Sequence, residues 1–332
     1  MTINVTAIKN LDREEIKKCL QLKGEQQKEL FATARSIRKN SKFKNNVELR
    51  SVIEISNVCA QKCKYCSMGK NGKELFTLSK EEILNKIELL AKAGRRTFLL
   101  QSGEINKQSF IDDIAFVCRK ATTLFPDIKI ILCMGNLSTK QYKQLKESGA
   151  TRYILKFEAS RADLHHNCRP SDTIENRLKC INDLIDIGFQ VGSGNIVGLP
   201  NQTLDDLIDD LILVDKLNLS MASATKFIPN NFSEYKDEPA GDIDLTLNFL
   251  ALLRIIKPDC LIPSTSSLEQ GSANGQTMGL LAGCNTVTIH DGTPKEFEKN
   301  YSIYSDDRFM PAEKYCRDII KNVEMESVPY LI

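Results

Sequence analysis

An excess of charge of either sign is missing from this chain: Lys and Arg total 45 against 43 Asp and Glu, a formal net charge of +2 over 332 residues. Such a balance gives a polyanion no electrostatic footprint, which argues against a nucleic-acid partner. Long apolar runs are missing too. No stretch offers about 18 consecutive apolar residues, and Met1 to Asn10 lacks a basic region leading into an apolar core. The expectation is a soluble, cytoplasmic protein with no membrane partner. Low-complexity linkers, composition breaks and short repeats are equally missing, so one large unit is expected rather than a string of modules.

Cysteine, by contrast, is present eleven times. An odd number without a secretion signal fits a reducing compartment better than a disulfide framework. Cys19, Cys118, Cys133, Cys168, Cys180, Cys260, Cys284 and Cys316 are scattered, mostly beside apolar neighbours, and read as small buried thiols. The other three fall together, in Cys59-Ala-Gln-Lys-Cys63-Lys-Tyr65-Cys66.

Residues 12–40 carry apolar positions at helical spacing and read as two helices separated near Gly24. After them, short β-rich runs alternate with longer amphipathic stretches. The strand candidates are 51–56, 96–101, 128–133, 152–157, 189–197, 221–228, 259–263 and 285–290. Helices fit between them at 79–93, 108–124, 138–148, 173–187, 203–217, 243–256 and 274–282, with a last one at 311–324. Ser79 reads as an N-cap, and Gly94, Gly149 and Gly188 stand where helices should stop. Repeated βα units predict an α/β fold, a complete (βα)8 TIM-type barrel over 49–332 with a short N-terminal helical lead-in over 1–48.

In such a barrel the chemistry lies at the C-terminal ends of the strands, and the cysteine loop follows the first of them. Three thiols in one loop are informative, because a structural zinc site wants four closed ligands. A 4Fe-4S cube held by Cys59, Cys63 and Cys66 leaves one iron open. S-adenosylmethionine (SAM) can fill that vacancy through its amino and carboxylate groups. One electron then breaks a C–S bond and yields a 5′-deoxyadenosyl radical, SAM being a recognised radical cofactor.

The C-x3-C-x2-C spacing, with Tyr65 before the last cysteine, resembles the radical SAM signature. Further segments are similar to the biotin synthase-like radical SAM enzymes, and particularly to the branch containing a hydrogenase maturase and 3-methylornithine synthase. They are Glu54-Ile-Ser-Asn-Val-Cys59, Gln101-Ser102-Gly103-Glu104, Gln190-Val-Gly-Ser-Gly194, Val197-Gly198-Leu-Pro200, Phe227-Ile-Pro229 and Ile262-Pro-Ser264-Thr265. This resemblance implies one 4Fe-4S cluster and SAM as cofactors. It implies that Gln101, Ser102, Gly103 and Glu104 receive the SAM amino group and that Glu158 and Arg177 contact its polar parts. In Gly194-Asn-Ile196-Val-Gly198, which ends the fifth strand candidate, the glycines would let backbone approach a flat ring such as adenine.

Biotin synthase carries a second cluster on three barrel cysteines and an arginine. Only Cys133 matches one of those cysteines; Leu99 and Gly192 stand at the other two positions. Classical biotin synthesis is therefore not expected. A different auxiliary cluster on Cys133 and Cys168 stays open, with packing the simpler reading. Candidate substrate residues are Lys226, Ser264, Thr265, Thr288 and His290, at or near strand ends. Arg169 and the His165-His166 pair read as loop residues. The implied partners are a small polar substrate, a reducing donor such as flavodoxin or ferredoxin, and an optional partner enzyme. Sulfur insertion, a partner-dependent subunit and a non-catalytic iron–sulfur or zinc scaffold stand as alternatives.

Overall fold

The structure is a computed structural model that describes residues 3–69, 74–270, 272–301, 303 and 308–332. Three helices, α1 (Val5–Lys9), α2 (Arg13–Leu20) and α3 (Gly24–Asn40), precede the sheet. Strand and helix then alternate: β1 (Asn46–Ser56), α4 (Lys80–Lys92), β2 (Thr97–Ser102), α5 (Gln108–Leu124), β3 (Lys129–Cys133), α6 (Thr139–Glu147) and β4 (Arg152–Ile154). Two helices follow, α7 (Ala162–Cys168) and α8 (Ile174–Asp186). After them come β5 (Gln190–Val197), α9 (Leu204–Lys216), β6 (Met221–Lys226), α10 (Ile243–Ile256), α11 (Gly275–Leu281), β7 (Thr286–Ile289), α12 (Glu313–Asn322) and β8 (Glu326–Val328).

The strands form a parallel sheet in the order β6-β5-β4-β3-β2-β1-β7, with β8 pairing the start of β1. Each β-to-β connection carries its helices, as parallel pairing demands. Ser79 caps α4 in a reciprocal capping box with Glu82, and Gly94, Gly149 and Gly188 end their helices at positive φ.

The expected strand at 259–263 is reduced to two isolated bridges, Met221 to Leu261 and Pro263 to Thr286. Pro263 has no N–H to give a ladder, which explains why no longer strand forms. Backbone bonds still run from this segment to both sides: Ala222 N to Leu261 O at 2.9 Å, and Ser264 N to Thr286 O at 2.9 Å. The expected strand at 152–157 is regular only to Ile154, although Leu155 N and Glu158 N still donate to Gly192 O and Gly194 O of β5, and Glu158, at φ 67°, bridges to Asn195. The His165-His166 pair, expected in a loop, lies on α7, and Arg169 follows that helix as its C-cap. The short α1 and β8 had no counterpart in the sequence reading.

The sheet is curled, and its concave face is layered. Period-two alternation along β1 puts Glu48, Arg50, Val52 and Glu54 on one side. At the bottom, Arg152 Nη1 reaches across from β4 to Glu48 Oε1 at 2.8 Å, beside Arg50 Nε at 2.8 Å from the same oxygen. Above them Val52, Leu99 and Ile131 pack together with Ile154 and Cys133. This apolar layer is the floor of the cavity described next.

Candidate active site

The cysteine loop leaves the C-terminal end of β1 and is laced to the loop after β2. Gly103 N donates to Ser56 O at 3.1 Å and Ala60 N to Glu104 O at 3.0 Å. A side chain at Gly103 would put its Cβ 2.1 Å from Val58 O and 2.6 Å from Cys59 Cβ, so only glycine permits this approach. On the other side, Lys64 N donates to Cys168 O at 2.9 Å, which ties the loop to the end of α7.

Each of the three sulfurs accepts an N–H. Glu104 N lies 3.3 Å from Cys59 Sγ, Arg169 Nη1 3.1 Å from Cys63 Sγ, and Met68 N 3.4 Å from Cys66 Sγ. Burial pushes the Cys63 thiol up, and the Arg169 guanidinium opposes that shift. Burial raises the Tyr65 phenol well above its usual range, so it is neutral at physiological pH.

The cysteines open on a cavity of about 1010 Å³ of atom-free space, part of it open to solvent. Glu104 stands on its wall. Its Oε1 accepts from Gln61 Nε2 at 2.6 Å, its Oε2 from Asn136 N at 2.9 Å, and Arg169 Nη2 lies 3.7 Å from Oε2. Gly135, at φ 78°, makes room for this carboxylate: a Cβ there would lie 2.4 Å from Glu104 Oε2. Arg177 is fixed by Asn136 Oδ1 at 2.8 Å and Asp172 Oδ2 at 3.3 Å.

Glu158 faces the same space with Lys156 Nζ 2.9 Å from its Oε2, and Lys156 also donates to Thr225 Oγ1 at 3.2 Å. Burial works against the Glu158 carboxylate, but Lys156, Arg169 and Arg177 outweigh it and hold its pKa below the usual range. Asn195 on β5 bridges to Glu158, and its Nδ2 donates to Asp210 Oδ2 at 2.7 Å; Ser160 N donates to Asp210 Oδ1 at 2.8 Å.

Cys59, Cys63, Cys66, Tyr65, Gln101, Ser102, Gly103, Glu104, Glu158, Arg177, Ile196 and Lys226 thus line one cavity. Lys226 Nζ donates to Gln270 O there. The structure leaves the remaining candidates off its wall. A Cβ at Gly194 would meet Ser223 O and one at Gly198 would meet Gly241 Cα, so neighbouring backbone accounts for both glycines. Ser264 Oγ is committed to Gln276 O at 2.7 Å and Thr265 Oγ1 to Ser267 Oγ at 2.8 Å. Thr288 shares register with Arg50, a level below the cavity. His290 turns to Glu54, Nδ1 to Oε1 at 3.7 Å, where Arg308 makes a two-pronged ion pair.

Sequence reading missed Gln61, Lys156 and Arg169 on this wall. Lys156 had a signal, the period-two continuation from Arg152 and Ile154. Arg169 had none, because α7 brings it in. Cys133 lines the cavity with its thiol pushed up to about 12 by burial, whereas Cys168 packs with Leu164 and Phe227. Among the described residues, no three His, Cys, Asp or Glu side chains come close enough to hold a single metal ion, and no helix is long and apolar enough to cross a membrane.

A loop of three cysteines after the first strand, beside a carboxylate wall in a curled parallel sheet, agrees with the family match. The chain belongs to the radical SAM superfamily, whose model matches residues 53–214. Enzymes of this class use a 4Fe-4S cluster and SAM. The chain is 34% identical over 279 residues to the [FeFe] hydrogenase maturase subunit HydE of Thermotoga maritima, covering 83% of this chain and 78% of that protein. It is 27% identical to biotin synthase of Gloeothece citriformis, covering 74% and 71%. Its fold matches the crystal structure of methylornithine synthase (PylB) with a TM-score of 0.83 at 20% identity, over 98% of this chain and 97% of the other.

Proposed function

We propose that Cys59, Cys63 and Cys66 hold the 4Fe-4S cluster, and that Glu104, Glu158 and Arg177 receive SAM against it. The observation that carries this reading is the convergence of three N–H-bonded sulfurs and a fixed carboxylate on one cavity wall. The residues fit the group: a sulfur with a donor already aimed at it is prepared for thiolate charge. When bound, the reduced cluster and SAM supply a 5′-deoxyadenosyl radical.

The chain's own side chains do the rest. Glu104, held by Gln61 and Asn136, is oriented for an ammonium group. Arg177, fixed by Asn136 and Asp172, is oriented for a carboxylate. Gln101, Ser102 and Gly103 shape the strand end below Glu104, while Tyr65 and Ile196 offer the apolar surface a purine needs. Gly194 and Gly198 serve this region through backbone packing. The floor of Val52, Leu99, Ile131 and Ile154 closes the cavity from beneath and excludes water from that side.

Lys156, Thr225 and Lys226 on the inner wall favour a small polar substrate carrying an anionic group. Ser264 and Thr265 spend their hydroxyls on Gln276 and Ser267, and Thr288 and His290 lie off the cavity wall, so their part in binding is indirect. We read the 261–264 segment as the missing position of a closed eight-position barrel, supported by its bonds to β6 and β7, and α1 to α3 as a lead-in covering its outside. A low-potential donor such as flavodoxin or ferredoxin supplies the electron. Leu99 and Gly192 in place of further cysteines favour rearrangement or cofactor maturation over sulfur insertion. HydE and PylB frame those two choices by name.

Anaerobic reconstitution with iron and sulfide, reduction with dithionite and chromatography for 5′-deoxyadenosine test the reading. Wild type is expected to form deoxyadenosine from SAM, and Cys63→Ala to form none. Intact SAM beside an assembled, reducible wild-type cluster would return the scaffold alternative.

A further inference from the structure

Cys63 is paired here with a cation, the guanidinium of Arg169, and backbone N–H groups reach Cys59 and Cys66. Arg169 is 6% exposed and Cys63 is 8% exposed, so their 3.1 Å contact sits in low dielectric, where a charge acts strongly. The guanidinium is held in place. Its Nη2 lies 3.4 Å from Asp172 Oδ2 and 3.7 Å from Glu104 Oε2. Its backbone N–H caps α7 through His165 O at 2.8 Å, and His165 is itself anchored by Nδ1 to Phe157 O at 2.8 Å.

We propose that Arg169 is a positioning residue that raises the reduction potential of the cluster by its directed N–H to Cys63. The inference rests on the cluster assignment above. Hydrogen bonds to the sulfurs and local charge are among the levers that set iron–sulfur potentials. Reduction adds negative charge to the cube, and a fixed cation on one ligand sulfur stabilises that added charge. Arginine is the residue suited to the task, because it stays charged and its planar fork serves sulfur and carboxylates at once. Lysine keeps the charge but cannot span both partners from one flexible tip.

The test is an EPR-monitored redox titration of reconstituted wild type, Arg169→Lys and Arg169→Gln, with iron and sulfide content measured on each. The glutamine variant is expected to be harder to reduce by at least one decade in the equilibrium constant, about 59 mV for one electron, with the lysine variant between it and wild type. Midpoints equal to wild type in both variants at full iron content would overturn the proposal. If the glutamine variant holds no cluster, the lysine variant decides: a lowered midpoint supports the role and an unchanged one refutes it. Failure of the SAM reading is separate, since it would leave a measurable midpoint but no deoxyadenosine from wild type.

Discussion

Glu104 draws its position from three separate segments, those carrying Gln61, Asn136 and Arg169. Replacing it by glutamine keeps the shape and removes the charge. A hydrogen bond to a charged group contributes about 1.5–3 kcal/mol, so Glu104→Gln is expected to weaken SAM binding by roughly ten- to a hundredfold. Iron content should not change. Equilibrium dialysis with labelled SAM checks this, and wild-type affinity in the variant would take Glu104 out of the site. Glu104 was legible in the sequence because Gln-Ser-Gly-Glu, at the end of a strand candidate, resembles the family's glycine-glutamate segment, and the cysteines because their spacing is local. Arg169 was not. Its partner Cys63 lies 106 residues earlier, and no local periodicity reports a contact made by the end of a seven-residue helix. Ser264 and Thr265 failed in the opposite way: a strand-end position is visible in sequence, but the direction of a hydroxyl is not.

Among the elements, the long helices are legible nearly residue for residue from their apolar periodicity; α5 and α10 match their expected spans. Ser79→Ala should cost about 1 kcal/mol by removing the α4 capping box, measured by urea unfolding; no loss would show that α4 is held by packing alone. Helix α7 escaped because its seven residues carry too few apolar positions to show a helical period. The turn at Glu158 is a second kind of device. Its positive φ costs about 1 kcal/mol, and Asp210 on α9 holds the segment in place through Ser160 and Asn195. Burial raises Asp210 to about 6, against the hydrogen bonds it accepts. A carboxyl raised on folding favours the folded state most below its unfolded pKa near 4, and that contribution is lost as pH rises through about 6. The shift corresponds to on the order of 3 kcal/mol. The stability difference between wild type and Asp210→Asn should therefore move in favour of the variant from pH 4 to pH 7, in urea unfolding at each pH. A constant difference would contradict it.

In the whole molecule, the layers of the concave face divide labour: a buried ion-pair network at the bottom, an apolar floor, then polar groups and sulfurs at the open end. The helices before β1 pack on the outside, with Gln27 Nε2 3.1 Å from Asn248 Oδ1 of α10 and Arg38 Nη1 2.7 Å from Leu280 O. Repeating βα patterning made the architecture legible, because each unit announces itself locally. The segment at Pro263 reads as a strand over 259–263 in the sequence but forms only two isolated bridges, because a proline limits the ladder it can make. On the proposed reading, Cys59, Cys63 and Cys66 hold a cluster with one iron left open to SAM. The most direct measurement is the EPR spectrum of the reconstituted, reduced protein with and without SAM, alongside iron counting. Four irons per chain and a spectrum that changes on adding SAM are expected; a full cluster whose spectrum SAM leaves unchanged would contradict the account.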